Sequence, residues 1–163
     1  MVSSASGVIA SLFETLTTAA MNIIPLAGRI LFAFIFVASV PGLFGTAAIT
    51  DAAAHGVPLP ALAVPLAGLL ALIGGLSVAF GYQARFGAWL LVLFLVPVTW
   101  KMHSFWNVPG AEVKQQLTHF MKNIALLGGA LLIAHFGAGP LSIDHCKHSR
   151  KTAAAAAAGR RSR

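Results

Sequence analysis

Cysteine is almost missing from this chain: Cys146 stands alone. A single thiol excludes an internal disulfide and a Cys-x-x-Cys relay. It thereby excludes the four-helix thiol oxidases that reduce quinones through cysteine pairs. Acid is scarce too, with 4 Asp and Glu against 11 Lys and Arg. A cation buried in the fold therefore has few carboxylates to pair with. Charged residues of every kind make up 9%, too few to clothe the outside of a water-soluble helical protein of this length. The N-terminus lacks the basic n-region of a signal peptide, and none is expected.

What the chain does have is long apolar runs, over residues 22–44, 61–80, 86–105 and 120–136. Each approaches the roughly 20 residues that a helix needs to cross the hydrocarbon layer. Mean hydropathy is +0.84, and the runs carry no polar face, so lipid is their expected neighbour. The sequence predicts an all-α fold, an integral membrane four-helix antiparallel bundle over residues 22–144. Residues 1–21 precede it. There Ile9, Leu12, Phe13 and Leu16 recur at helical spacing, which predicts a short N-terminal interfacial helix over about residues 8–20.

Net charge is +7, much of it gathered in the tail, residues 145–163, on Lys147, Arg150, Lys151, Arg160, Arg161 and Arg163. That is the signature of a cytoplasmic tail under the positive-inside rule, not of a nucleic-acid face. Arg85, between the second and third runs, lies on the same side, whereas the connection around Asp51 and His55 has no Lys or Arg. Lys114 falls on the outer side against this trend. The reading is a multi-pass bacterial inner-membrane protein with N- and C-termini cytoplasmic and the lipid bilayer as its first partner. Ala67, Ala71, Gly75 and Ala79 form a small-residue stripe on the second run, and Ala125 with Gly129 repeats it on the fourth. Such stripes admit a close neighbour helix, within the chain or in a homo-oligomer.

Polar residues then cluster near the outer end of the third and fourth runs: Trp100, Lys101, His103, Trp106, His119, Lys122 and Asn123. His119, Lys122 and Asn123 share a helix face, as do Trp100 and His103. Ionisable groups at membrane depth usually face a bundle interior or a cavity. This set is suited to an anionic head or a quinone carbonyl, while the tryptophans also fit an interfacial belt. No histidine pair has a haem-ligating spacing, so haem is not expected. The run Asp144-His145-Cys146-Lys147-His148 holds metal-ligand types on a basic tail, and no metal site is assigned. Arg29 lies several residues inside the first run, and Glu14 and Asp144 are the acids on its side. An Arg29–Asp144 ion pair is the expected lock of that end.

Several stretches in order resemble the DoxX family of small four-helix membrane proteins. They are Gly28-Arg29-Ile30-Leu31, then His55-Gly56-Val57-Pro58-Leu59-Pro60, Gly74-Gly75 with Gly81 and Arg85, His103-Ser104-Phe105-Trp106, Phe120-Met121-Lys122-Asn123-Ile124-Ala125-Leu126-Leu127-Gly128-Gly129, and Gly139-Pro140-Leu141-Ser142-Ile143-Asp144. The resemblance covers about residues 25–144. It departs where the family often carries Glu, here Ala71, and where it has Lys near the end of the first helix. The resemblance implies a subunit of a membrane redox or oxidative-stress system that binds a quinone or a partner oxidoreductase subunit. The small-residue stripes and the loss of family charges favour an alternative, a non-catalytic scaffold or assembly factor, and a small-solute transporter is a third reading.

Overall fold

The computed structural model describes residues 2–161. Among them every regular element is helical: α1 Val2–Leu43, α2 Thr46–Ala54, α3 Pro60–Phe80, α4 Ala84–Met102, a 3-10 turn Phe105–Asn107, α5 Gly110–Phe136 and α6 Ile143–Arg161. Four stretches are long and apolar enough to cross a membrane: Leu12–Leu43, Pro60–Phe80, Ala84–Asn107 and Gly110–Phe136. The all-α four-span architecture is as the hydropathy demands. Leu31, Phe34, Leu62, Leu93 and Leu132 are turned outward, toward what must be lipid.

Three boundaries differ from expectation. The N-terminal helix is not separate, because Val2–Leu43 runs unbroken for 42 residues with Pro25 and Pro41 inside it. Residues 17–27 contain no turn pair to stop a helix, and one proline removes only one hydrogen bond. Leu12, Phe13 and Leu16 are exposed on this extension; the Ile9 side chain lies outside the described ones. The connection after α1 is not all turn, since α2 interrupts it and ends at His55 and Gly56. The fourth span starts at Gly110, well before residue 120. Its first turns are polar, but Glu112 favours the helix N-terminus and Gln115 and Gln116 are good helix formers. The tail is helical as α6; Arg163 lies outside the described residues.

Small residues decide which helices touch. Gly74 brings α3 against α4: a Cβ there would sit 2.9 Å from the Gly87 carbonyl oxygen and 2.9 Å from Leu91. Next to it, Gly75 faces α1, at 3.0 Å from Val37 and 3.3 Å from Phe36. With Gly68 against Leu43 and Phe44, this sets α1 and α3 antiparallel. Ala33, Phe36, Ala71, Val78, Ala88, Leu91, Phe94, Leu95 and Ala130 form the core. Phe36 and Phe94 meet edge to face at 6.2 Å. The close pairs are α1 with α3, α3 with α4 and α4 with α5. Between α1 and α5 the link is a side chain, Phe32, which lies where a Cβ on Gly129 would come within 2.8 Å. Toward the far end of the bundle this leaves a groove between α1 and α5.

Arg29 and Asp144 meet at the near end, where α3 and α5 finish and α4 and α6 begin, and attract each other electrostatically, but they form no direct ion pair. Arg29 is 4% exposed and donates three hydrogen bonds to carbonyls: Nε to Ala79 at 3.3 Å, Nη2 to Leu141 at 3.1 Å, and Nη1 to Ala138. Asp144 accepts from the Gln83 N–H at 2.9 Å and the Ala84 N–H at 3.0 Å, capping α4 from another helix. The expected ion pair is thus replaced by two sets of backbone bonds. Helix ends leave carbonyls and N–H groups unpaired, and these are nearer than the opposite charge. Asp144→Ala is expected to cost about 1–2 kcal/mol, as loss of an N-cap does, with Asp144→Asn retaining most of it. Thermal unfolding in detergent measures the difference.

Candidate functional site

The far end is built by the last turn of α4, the 3-10 turn and the outer half of α5. His103 ends α4, and its Nδ1 lies 2.9 Å from Gln116 Oε1. With the amide oxygen accepting, the ring proton sits on Nδ1. His119, one turn along α5, stacks on His103 with centroids 5.1 Å apart and planes at 25°. Stacked rings present faces to each other rather than nitrogens, so the two do not clamp an iron between them. Among the described residues, no three His, Cys, Asp or Glu side chains converge as metal ligands.

The tryptophans belong to a different surface. Trp100 packs against Trp106 with centroids 5.1 Å apart and planes tilted by 56°, and Trp106 meets Phe105 and Phe120 edge to face. Trp100 and Trp106 are 64% and 46% exposed, and neither lines the groove. The aromatic set packs the 3-10 turn onto α5.

The groove itself is a cavity of about 290 Å³ between α1, α4 and α5. Ser39 from α1, His103 from α4, and Lys122 and Asn123 from α5 supply its polar groups; Phe36 and Phe94 are among its apolar walls. Asn123 is 6% exposed. Its amide bonds to no described residue, and its polar atoms open to the cavity instead of being sealed in protein. Buried amides are normally satisfied, so this one is set to meet something that enters the groove. Of its neighbours, Lys122 supplies a cation that can receive an oxygen-bearing head, while the Ser39 hydroxyl already donates to the Phe36 carbonyl at 2.8 Å.

Of the residues expected here, His103, Lys122 and Asn123 line the groove, while His119 supports His103 from behind. Ser39 and Gln116 were not anticipated. Gln116 had a legible signal, three residues before His119 on one helix face. Ser39 had none, because its place depends on how α1 packs.

The family model described as the SURF4 family matches residues 62–150, from α3 into α6. The chain belongs to the SURF4 family. Among the relatives of this SURF4-family chain is the inner membrane protein YqjF of Escherichia coli, 34% identical over 119 residues, which are 73% of the chain and 88% of YqjF. The inner membrane protein YphA of the same organism is 28% identical over 56% of the chain and 66% of its own length. The ER-derived vesicles protein ERV29 of Saccharomyces cerevisiae is 30% identical over 48% of the chain. The match spans only 26% of ERV29. No solved structure matches.

This assignment overturns the resemblance to DoxX. The stretches that carried it are Gly-Gly pairs, helix-ending Gly and Pro, and His and Trp at an interface. Close helix packing, turn geometry and the membrane boundary demand those residues of any small four-span bundle. The redox setting was implied by that resemblance alone and falls with it. What stands is a SURF4-family membrane protein whose helices contact the bilayer.

Proposed function

We propose that the chain is an inner-membrane binding protein that seats the polar head of a membrane amphiphile in the groove between α1, α4 and α5. The observation that carries this is the position of Asn123, a largely buried side chain whose amide opens to the cavity beside Lys122 and His103. Lys122 and the Asn123 NH₂ offer donors, so the head they fit carries a carbonyl or carboxylate oxygen. An isoprenoid quinone is one such molecule and a fatty acid another. The gap between α1 and α5 gives the tail a lateral way out to lipid. The activity proposed is binding, without turnover. The similarity to YphA and YqjF, both inner membrane proteins, supports the inner-membrane location. The basic residues at the Arg29 end, Arg85 and Lys147 to Lys151, support a cytoplasmic position for that end and for both termini.

The small-residue stripes favour a scaffold less than their spacing suggested, because Ala71 is fully buried within the chain, Gly75 is used against α1 and Gly129 against Phe32.

Solvent extraction of gently purified protein, followed by mass spectrometry, tests the proposal. The wild type is expected to release a near-stoichiometric amphiphile with such a head. Asn123→Leu is expected to retain at least about tenfold less, the loss of one buried charge-assisted or neutral hydrogen bond plus an orphaned ligand oxygen. Equal retention by wild type and Asn123→Leu overturns it.

A further inference from the structure

The Arg29 end holds a second cavity, of about 710 Å³, between the start of α4, the α5–α6 link and α6. Arg85, His145 and His148 face it, with Phe86 and Phe136 at its sides. Arg85 has no ion pair or hydrogen bond with a described residue. Its side chain lies across the link: Nε is 3.3 Å from where a Cβ on Gly137 would be. The one carboxylate of the cavity, Asp144, spends both oxygens on the N–H groups of Gln83 and Ala84. The cavity therefore offers an unpaired guanidinium and two imidazoles beside one carboxylate whose oxygens already accept two backbone N–H groups.

Its depth adds a second constraint. Arg85 is in the first turn of one span and Phe136 is the last residue of another, so the cavity opens at headgroup level. Phe86 and Phe136 are 58% and 72% exposed on the side where acyl chains lie. A phosphate in this cavity meets Arg85 in the bidentate manner guanidinium favours, and an attached diacylglycerol meets the phenyl rings. With one arginine and two histidines against one carboxylate, the cavity favours a head whose phosphate charge is not offset by a cation of its own.

We infer that this cavity is a site for the headgroup phosphate of an anionic glycerophospholipid, held by Arg85 with His145 and His148. It is separate from the groove of Asn123, at the opposite end of the bundle.

The test is native mass spectrometry of the full chain released from mixed vesicles of phosphatidylglycerol and phosphatidylcholine. One phosphatidylglycerol is expected to be retained in preference to phosphatidylcholine. Arg85→Ala is expected to reduce that preference about fivefold, the effect of one cation near an anionic surface, and Arg85→Lys to keep part of it. The pair Arg150→Ala and Lys151→Ala, on α6 but away from the cavity, is expected to leave it unchanged, as is Asn123→Leu. Equal retention of the two lipids by the wild type overturns the inference. So does a loss in the Arg150, Lys151 pair equal to that in Arg85→Ala, which means diffuse attraction by the tail. Displacement of the lipid by millimolar inorganic phosphate overturns the lipid assignment. If Arg85→Ala loses its helicity, Arg85→Gln and His148→Leu read the same preference, and no change in either rejects the site.

Discussion

Arg29→Met is expected to be the most damaging single substitution outside the glycine contacts. It preserves length and apolar bulk but strips donors from the carbonyls of Ala79, Ala138 and Leu141. These carbonyls belong to the end of α3 and to the link between α5 and α6. Leu141 is moreover held at φ +55, a costly conformation for a residue with a Cβ, and its carbonyl faces Arg29 because of it. Each orphaned buried acceptor costs about 1–3 kcal/mol, so the expected loss is about 3 kcal/mol or more. In a chain of this size that corresponds to a fall in Tm of roughly 6–12 °C. Arg29→Lys is expected to lie between, because one ammonium cannot reproduce a planar fork across several carbonyls. A wild-type Tm in Arg29→Met, measured in detergent, contradicts the role assigned to the guanidinium.

Gly74→Leu and Gly87→Val are expected to do comparable harm by another route. A side chain on Gly74 meets the Gly87 backbone oxygen, and one on Gly87 meets Ser77. Backbone cannot move aside as a flexible side-chain tip does, so α3 and α4 must separate. Overpacking of this kind typically costs about 1–3 kcal/mol, and here it disturbs the most intimate helix pair of the bundle. Gly128→Leu is the contrast. Nothing lies within 4 Å of a Cβ on Gly128, so a change within about 0.5 kcal/mol is expected. Comparing yield and thermal stability of the three variants separates helix contact from mere loss of glycine. Equal behaviour at positions 74 and 128 would refute the packing described.

The family correction has a physical lesson. The features read as DoxX landmarks are real features of the fold: Gly74 and Gly75 do bring helices together, Gly139 and Leu141 do turn the chain, and His103 does end a helix. They report the needs of a small membrane bundle and so do not separate one family of such bundles from another.

The four spans and the gathering of His103, His119, Lys122 and Asn123 near one end were legible from hydropathy and helical spacing alone, whereas the starts of the first and fourth helices were not. Those signals are local, because lipid imposes its demand on each segment independently and spacing of three or four residues stays within one helix. The tertiary structure alone decided the rest. It turned the tryptophans away from the groove, brought Ser39 to Asn123, and gave Arg29 and Asp144 backbone partners in place of each other. It also left Arg85 facing a cavity whose one carboxylate, Asp144, is engaged by the N–H groups of Gln83 and Ala84. Such outcomes depend on which faces of distant helices meet, and that choice belongs to glycines and core side chains far apart in the chain.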